Sequence, residues 1–139
     1  TVWLEFRRVL FRSNVAINFF MSFLLCLWLD NIFVSNKIEN NNLLVKIEGE
    51  VDVYTSIDLK KELSKYIEDG ERSIIIDLDQ VNYMDSSGLG VLVAVLKELK
   101  KVGGDLKLIN LPLSVKKIFD LTRLTKFFSI YKNLEEASK

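Results

Sequence analysis

The sequence contains no histidine and a single cysteine among 139 residues, and its 19 Lys+Arg are matched by 19 Asp+Glu. Each of these scarcities excludes something. Without histidine there is no Ser-His-Asp or Cys-His catalysis, no His-based zinc site and no histidine pH switch. Cys26 has no intrachain disulfide partner, which favours an intracellular setting. A net charge of zero argues against an electrostatic nucleic-acid binder, because neutralising phosphates takes a local excess of Lys and Arg. What is present, 49% hydrophobic and 27% charged residues, suits one globular domain. A chain of this size buries roughly two thirds of the surface of its unfolded form and holds a core without disulfides or metal.

Charge is thin in the first quarter. Residues 37–139 carry 16 Lys+Arg and 17 Asp+Glu, which leaves 3 and 2 for residues 1–36. Residues 1–13 are basic and aromatic, and Val15 to Leu29 is almost wholly apolar. As a signal peptide the segment lacks a small-residue cleavage pattern. As a membrane span it is short, since about 20 apolar residues are needed and Asn18 and Ser22 interrupt it. EFRRVLFRS resembles translated adaptor or vector sequence. Residues 1–30 are therefore set aside as an unassigned apolar and basic segment, artefactual or membrane-associated, and the fold is read from residues 31–139.

That remainder alternates strands with helices. Asn31 to Ile38 is a candidate edge strand with Ile32, Val34 and Ile38 as apolar positions, followed by a polar turn over Glu39 to Asn42. Leu43 to Ile47 is a second strand, expected to stop at Gly49. Thr55 is the expected cap of a helix whose buried stripe is Leu59, Leu63, Tyr66 and Ile67, with Asp58 near the positive end of its dipole and Gly70 at its end. Ser73 to Leu78 holds three consecutive isoleucines and reads as a central strand covered on both faces. A loop with Asp79, Gln80 and Asn82 is expected next. Leu92, Val95, Leu96, Leu99 and Val102 then mark a second helix that ends at Gly103 and Gly104. Leu106 to Ile109 is a strand, and Ser114 an expected cap for a helix burying Val115, Ile118, Phe119 and Leu121. A last strand over Phe127 to Tyr131 and a helix from Asn133 close the chain. The pattern predicts an α/β fold with a mixed, mainly parallel sheet of about four to five strands and helices packed against it.

The segment most open to a chemical reading is Tyr83 to Gly90, between a buried strand and a helix start. Ligands and partners of open α/β sheets gather at the carboxyl ends of strands. Ser86 or Ser87 there would lie where unpaired amides and the helix dipole favour negative charge, so a phosphate would be stabilised. The plain alternative is a helix cap, with Gly88 and Gly90 allowing close packing on the sheet. Enzymatic readings fit less well: the order Gly-x-Ser-x-Gly is not met, and Gly90 is followed by Val91 where a phosphate-binding loop needs Lys. Asp77, Asp79 and Asp85 lack a partnering ligand set for a metal. Gly49 to Thr55 is the second segment of interest. It is either turn chemistry or, in a parallel sheet, a loop opening beside Ser86.

Taken in order, Gly49-Glu-Val-Asp-Val-Tyr-Thr55, Val81-Asn-Tyr-Met-Asp-Ser-Ser-Gly-Leu-Gly-Val91 and Gly103-Gly-Asp-Leu-Lys-Leu-Ile-Asn110 resemble the anti-sigma-factor antagonists of the STAS domain family, of the general-stress-response type. The resemblance implies a switch rather than an enzyme, with no cofactor. It implies that the serine after the Asp, Ser86, is phosphorylated by an anti-sigma factor with serine kinase activity, and that a metal-dependent serine phosphatase reverses the mark. Ser87 matches a position filled by Ser or Thr that is not the usual acceptor. Asp52, Tyr54 and Thr55 would form the docking surface with Ser87, Gly88 and Gly90, while Asp85 positions the loop. The unphosphorylated form would bind the anti-sigma factor and release a sigma factor, in the cytoplasm of a bacterium, with no direct nucleic-acid contact. The main rival is the cytoplasmic STAS domain of a membrane anion transporter, with Val15 to Leu29 as the remnant of a span and the serine loop as a regulatory contact. A small-molecule or nucleotide sensor is a third reading.

Overall fold

A computed structural model describes residues 32–139. The apolar run at 15–29 and the domain division at residue 30 lie outside the described residues. Five strands form one sheet in the order β1-β2-β3-β4-β5: β1 (Ile32–Glu39), β2 (Asn42–Val51), β3 (Ser73–Met84), β4 (Asp105–Ile109) and β5 (Ser129–Tyr131). β1 pairs antiparallel with β2, and the other three pairings are parallel. The β1–β2 hairpin turns on Asn40 and Asn41, both with positive φ (50° and 63°), the geometry a two-residue turn of the primed type demands and asparagine tolerates.

Four α-helices are described: α1 (Thr55–Glu68), α2 (Ser86–Lys101), α3 (Leu113–Leu121) and α4 (Leu134–Ser138). Strand periodicity decides which face each covers. Val45, Ile47, Ile74, Ile76, Leu78, Leu106 and Leu108 point to one side and pack with Leu59 and Leu63 of α1, Leu92, Val95 and Leu99 of α2, and Val115 and Phe119 of α3. Leu44, Ile75 and Ile109 point to the other side, where Ala137 of α4 covers them. Ile74, Ile75 and Ile76 are all fully buried, as expected of a strand covered on both faces. Burying side chains of this size contributes about 1.5–3 kcal/mol each. Lys107 donates from Nζ to the Ala137 carbonyl at 2.6 Å and so ties α4 to the sheet.

Several sequence expectations change. β2 does not stop at Gly49. It continues to Val51 through a register shift between Gly49 and Glu50, with Gly49 at φ 106°. The expected loop with Asp79, Gln80 and Asn82 is strand. β4 pairs with β3 only as far as Asp77, so beyond it β3 keeps β2 alone and its polar residues face water. Ser114 caps nothing; it is exposed, and Pro112, with φ −61°, precedes α3 without a side-chain bond. Leu121 is 84% exposed and Val102 is exposed, each at the end of its helix where the stripe runs off the sheet. Ile38 is also exposed, near the tip of the hairpin. Of the expected strand at Phe127 to Tyr131 only Ser129–Tyr131 remains, because Leu124–Lys126 is a 3₁₀ turn and Phe128 turns inward against Phe119, ring centroids 5.5 Å apart and edge to face.

Candidate functional site

Because β2 and β3 are parallel, their carboxyl ends open at the same edge of the sheet, with Val51 opposite Met84. The amide of Asp85 donates to the Val51 carbonyl at 3.1 Å, which ties the β3–α2 junction directly to the β2–α1 junction. The two loops read from the sequence therefore form one surface.

At the β2–α1 junction Asp52 does the work assigned to Thr55. Its Oδ1 accepts from the amides of Tyr54 and Thr55, both at 2.9 Å, and its carbonyl accepts from the Ser56 amide at 2.9 Å. The Thr55 hydroxyl accepts in return from the Asp52 amide at 2.9 Å, the reciprocal arrangement of a capping box one turn ahead of the first regular residue. It also donates to the Glu50 carbonyl at 3.0 Å. The Thr55 amide has the largest influence on the Asp52 carboxyl; burial opposes it, and the Thr55 hydroxyl and the Tyr54 amide add to it, so the carboxyl is held below its ordinary range. Thr55 is buried, so it shapes the surface from beneath and does not face a partner.

The β3–α2 junction repeats the device. Asp85 is the N-cap of α2, its Oδ1 accepting from the amides of Ser87 at 2.8 Å and Gly88 at 3.2 Å. The Ser87 hydroxyl also donates to this oxygen. Those two amides are thus already taken by a carboxylate, so of the first three helical amides the expectation of an unpaired donor for a phosphate holds for Ser86 alone. Ser86, the first residue of α2, is exposed, whereas Ser87 is half-buried. The two glycines differ as well. A Cβ on Gly88 would lie 2.7 Å from Met84 Cγ and 2.8 Å from Val51 Cγ1, so only glycine lets α2 seat on the strand ends. Gly90 has nothing within 4 Å of such a Cβ; contrary to the sequence expectation it does not serve close packing on the sheet, and it leaves a bare spot on the helix surface.

Of the apolar side chains exposed on the same edge, the sequence reading named Tyr54, which is 82% exposed, and missed Val53, Ile57 and Tyr83, each more than half exposed. Apolar residues packed between cap positions, as Val53 and Tyr54 are between Asp52 and Thr55, were the available signal. Asp77, one member of the imagined metal cluster, is buried and accepts instead from the Asp79 amide at 3.0 Å and from Asn110 Nδ2 at 3.2 Å. Among the described residues no three His, Cys, Asp or Glu side chains converge on one point, and no helix is long and apolar enough to cross a membrane.

Comparison with known proteins agrees with this geometry. The STAS domain model matches residues 34–137. The chain is 43% identical over 100 residues to an anti-sigma-B factor antagonist of Bacillus subtilis (strain 168), covering 72% of this chain and 91% of that protein. Among solved structures it is similar to an anti-sigma factor antagonist from Mycobacterium paratuberculosis, with TM-score 0.72, 26% identity and coverage of 78% of this chain and 92% of that one. It is also similar to the anti-sigma factor antagonist SpoIIAA in its unphosphorylated form, with TM-score 0.65, 25% identity and coverage of 75% and 91%. With its family model spanning both loops and these relatives covered almost end to end, the chain belongs to the STAS domain family.

Proposed function

We propose that this protein is an anti-sigma-factor antagonist switched by phosphorylation of Ser86. The unphosphorylated form binds an anti-sigma factor that is itself a serine kinase, and a sigma factor is released. A metal-dependent serine phosphatase restores the bound state, and the exchange takes place in the cytoplasm. The names of the relatives support the role, and one observation carries the site. Two adjacent hydroxyls differ: that of Ser87 is half-buried and given to Asp85, while Ser86 stands exposed at the head of α2.

Phosphorylation at Ser86 adds about 1.5–2 negative charges beside Asp85. With the Ser87 and Gly88 amides already engaged by Asp85, the phosphate is left to face the partner. A partner surface shaped for a neutral hydroxyl flanked by Val53, Tyr54, Ile57, Tyr83 and Gly90 then faces repulsion and desolvation, worth about 2–5 kcal/mol at a buried polar contact. Affinity falls by roughly 30-fold to several thousand-fold with no backbone movement. The test is incubation with the cognate kinase and ATP followed by mass spectrometric mapping. Phosphate on Ser86 is expected; phosphate on Ser87 or elsewhere, or none, contradicts the assignment.

A further inference from the structure

The carboxyl half of α2 bears a groove that the serine loop does not use. It encloses about 710 Å³ between Val93 and Leu96 of the helix and, on the other side, Leu124 of the 3₁₀ turn and Phe127 just after it, and it is open to solvent. Phe127 is 71% exposed at its rim, while its neighbour Phe128 is buried and anchors the wall through Phe119. Three lysines, Lys97, Lys100 and Lys101, line it, and no acidic residue does. Lys100 pairs with Asp105 at 2.8 Å, but Lys97 and Lys101 make no ion pair among the described residues.

From these features we infer that the groove is a second docking site, for an acidic amphipathic helix of a partner protein. An apolar floor between a helix and the segment Leu124 to Phe128 takes a row of side chains spaced one turn apart, the helix-in-groove mode of recognition. The unpaired lysines on its rim complement carboxylates flanking that row and disfavour a basic helix. A concave floor suits an inserted ridge better than a flat bilayer, and its open side would leave much of a single acyl chain in water. Along the helix axis the groove begins about 10 Å from Ser86, at 1.5 Å per residue, so its occupant and a partner at the serine loop contact different parts of α2.

The test is titration of the full chain with a synthetic helical peptide of about 18 residues, leucine on one face and glutamate on the other, beside its lysine counterpart, laurate and phosphatidylglycerol vesicles. The acidic peptide is expected to bind saturably and at least about tenfold more tightly than the basic one. Phe127→Ala is expected to weaken it about tenfold, and the pair Lys97→Glu with Lys101→Glu by a similar factor. Ser86→Asp is expected to leave it unchanged, which separates this site from the proposed switch. Equal affinity for both peptides, no saturable binding, indifference to Phe127→Ala, loss of binding in Ser86→Asp, or preference for laurate or vesicles would each overturn the inference.

Discussion

The β2–α1 and β3–α2 junctions are built alike and present different chemistry. In each, an Asp carboxylate just past a strand takes two of the next helix's amides and is joined by a hydroxyl from the first turn. At the first junction that hydroxyl belongs to buried Thr55 and reaches down to the Glu50 carbonyl, while Val53 and Tyr54 face water. At the second it belongs to half-buried Ser87, while Ser86 faces water. One turn thus offers apolar side chains and the other an exposed hydroxyl, on supports joined by a backbone hydrogen bond from Asp85 to Val51. Capping both helices with carboxylates leaves the neighbouring exposed positions free to carry function.

The largest effect should come from the helix seat that only the second junction has. Gly88→Val is expected to destabilise the fold by about 3 kcal/mol, because its branched side chain meets Val51 and Met84, both buried. Gly90→Ala, where nothing lies within 4 Å, should instead add up to about 1 kcal/mol through helix propensity. Urea denaturation of both variants checks the contrast, and equal responses would mean that the two glycines are not doing different jobs.

The two hydroxyls come next. Thr55→Val keeps the shape but leaves the Asp52 amide and the Glu50 carbonyl without their partner, at an expected cost of about 1–3 kcal/mol. Ser87→Ala leaves both amide bonds to Asp85 in place and should cost less, about 0.5–1 kcal/mol. Thermal or urea unfolding that ranks them the other way would break the proposed division between the buried lock at Thr55 and the half-buried hydroxyl of Ser87.

The smallest effect concerns pH. Asp52 has its carboxyl lowered in the folded state, so its contribution is complete above the ordinary carboxylate value of about 4 and is lost as pH falls through the lower folded value. Asp52→Asn should therefore be less stable than the parent at neutral pH, with the gap narrowing on acidification below about pH 4. A constant gap from pH 7 to pH 2 would show that the carboxylate's charge is not what this cap uses.

Much of the fold was legible because periodicity and burial agree: the three isoleucines of β3, the stripe Leu59, Leu63, Tyr66 and Ile67, and the turn at Asn40 and Asn41 all lie where expected. Reading failed where one-sided pairing replaced two-sided burial. Asp79, Gln80 and Asn82 look like loop because polarity is the usual mark of a loop, yet a strand paired on one edge carries them into water at little cost. The site was legible as two motifs. Which Asp caps which helix was not, because Asp52 and Thr55 are both good cap residues and only backbone geometry assigns their roles. The groove on α2 was invisible in sequence, since it depends on Phe127 and Leu124 being folded back beside Val93 and Leu96.

The central claim, that negative charge at Ser86 decides partner binding, is tested most directly by calorimetric titration of the anti-sigma kinase with Ser86→Ala and Ser86→Asp in parallel. The account predicts that Ser86→Ala binds as tightly as the unmodified protein and that Ser86→Asp binds at least about 30-fold more weakly. Equal affinity of the two variants would contradict it.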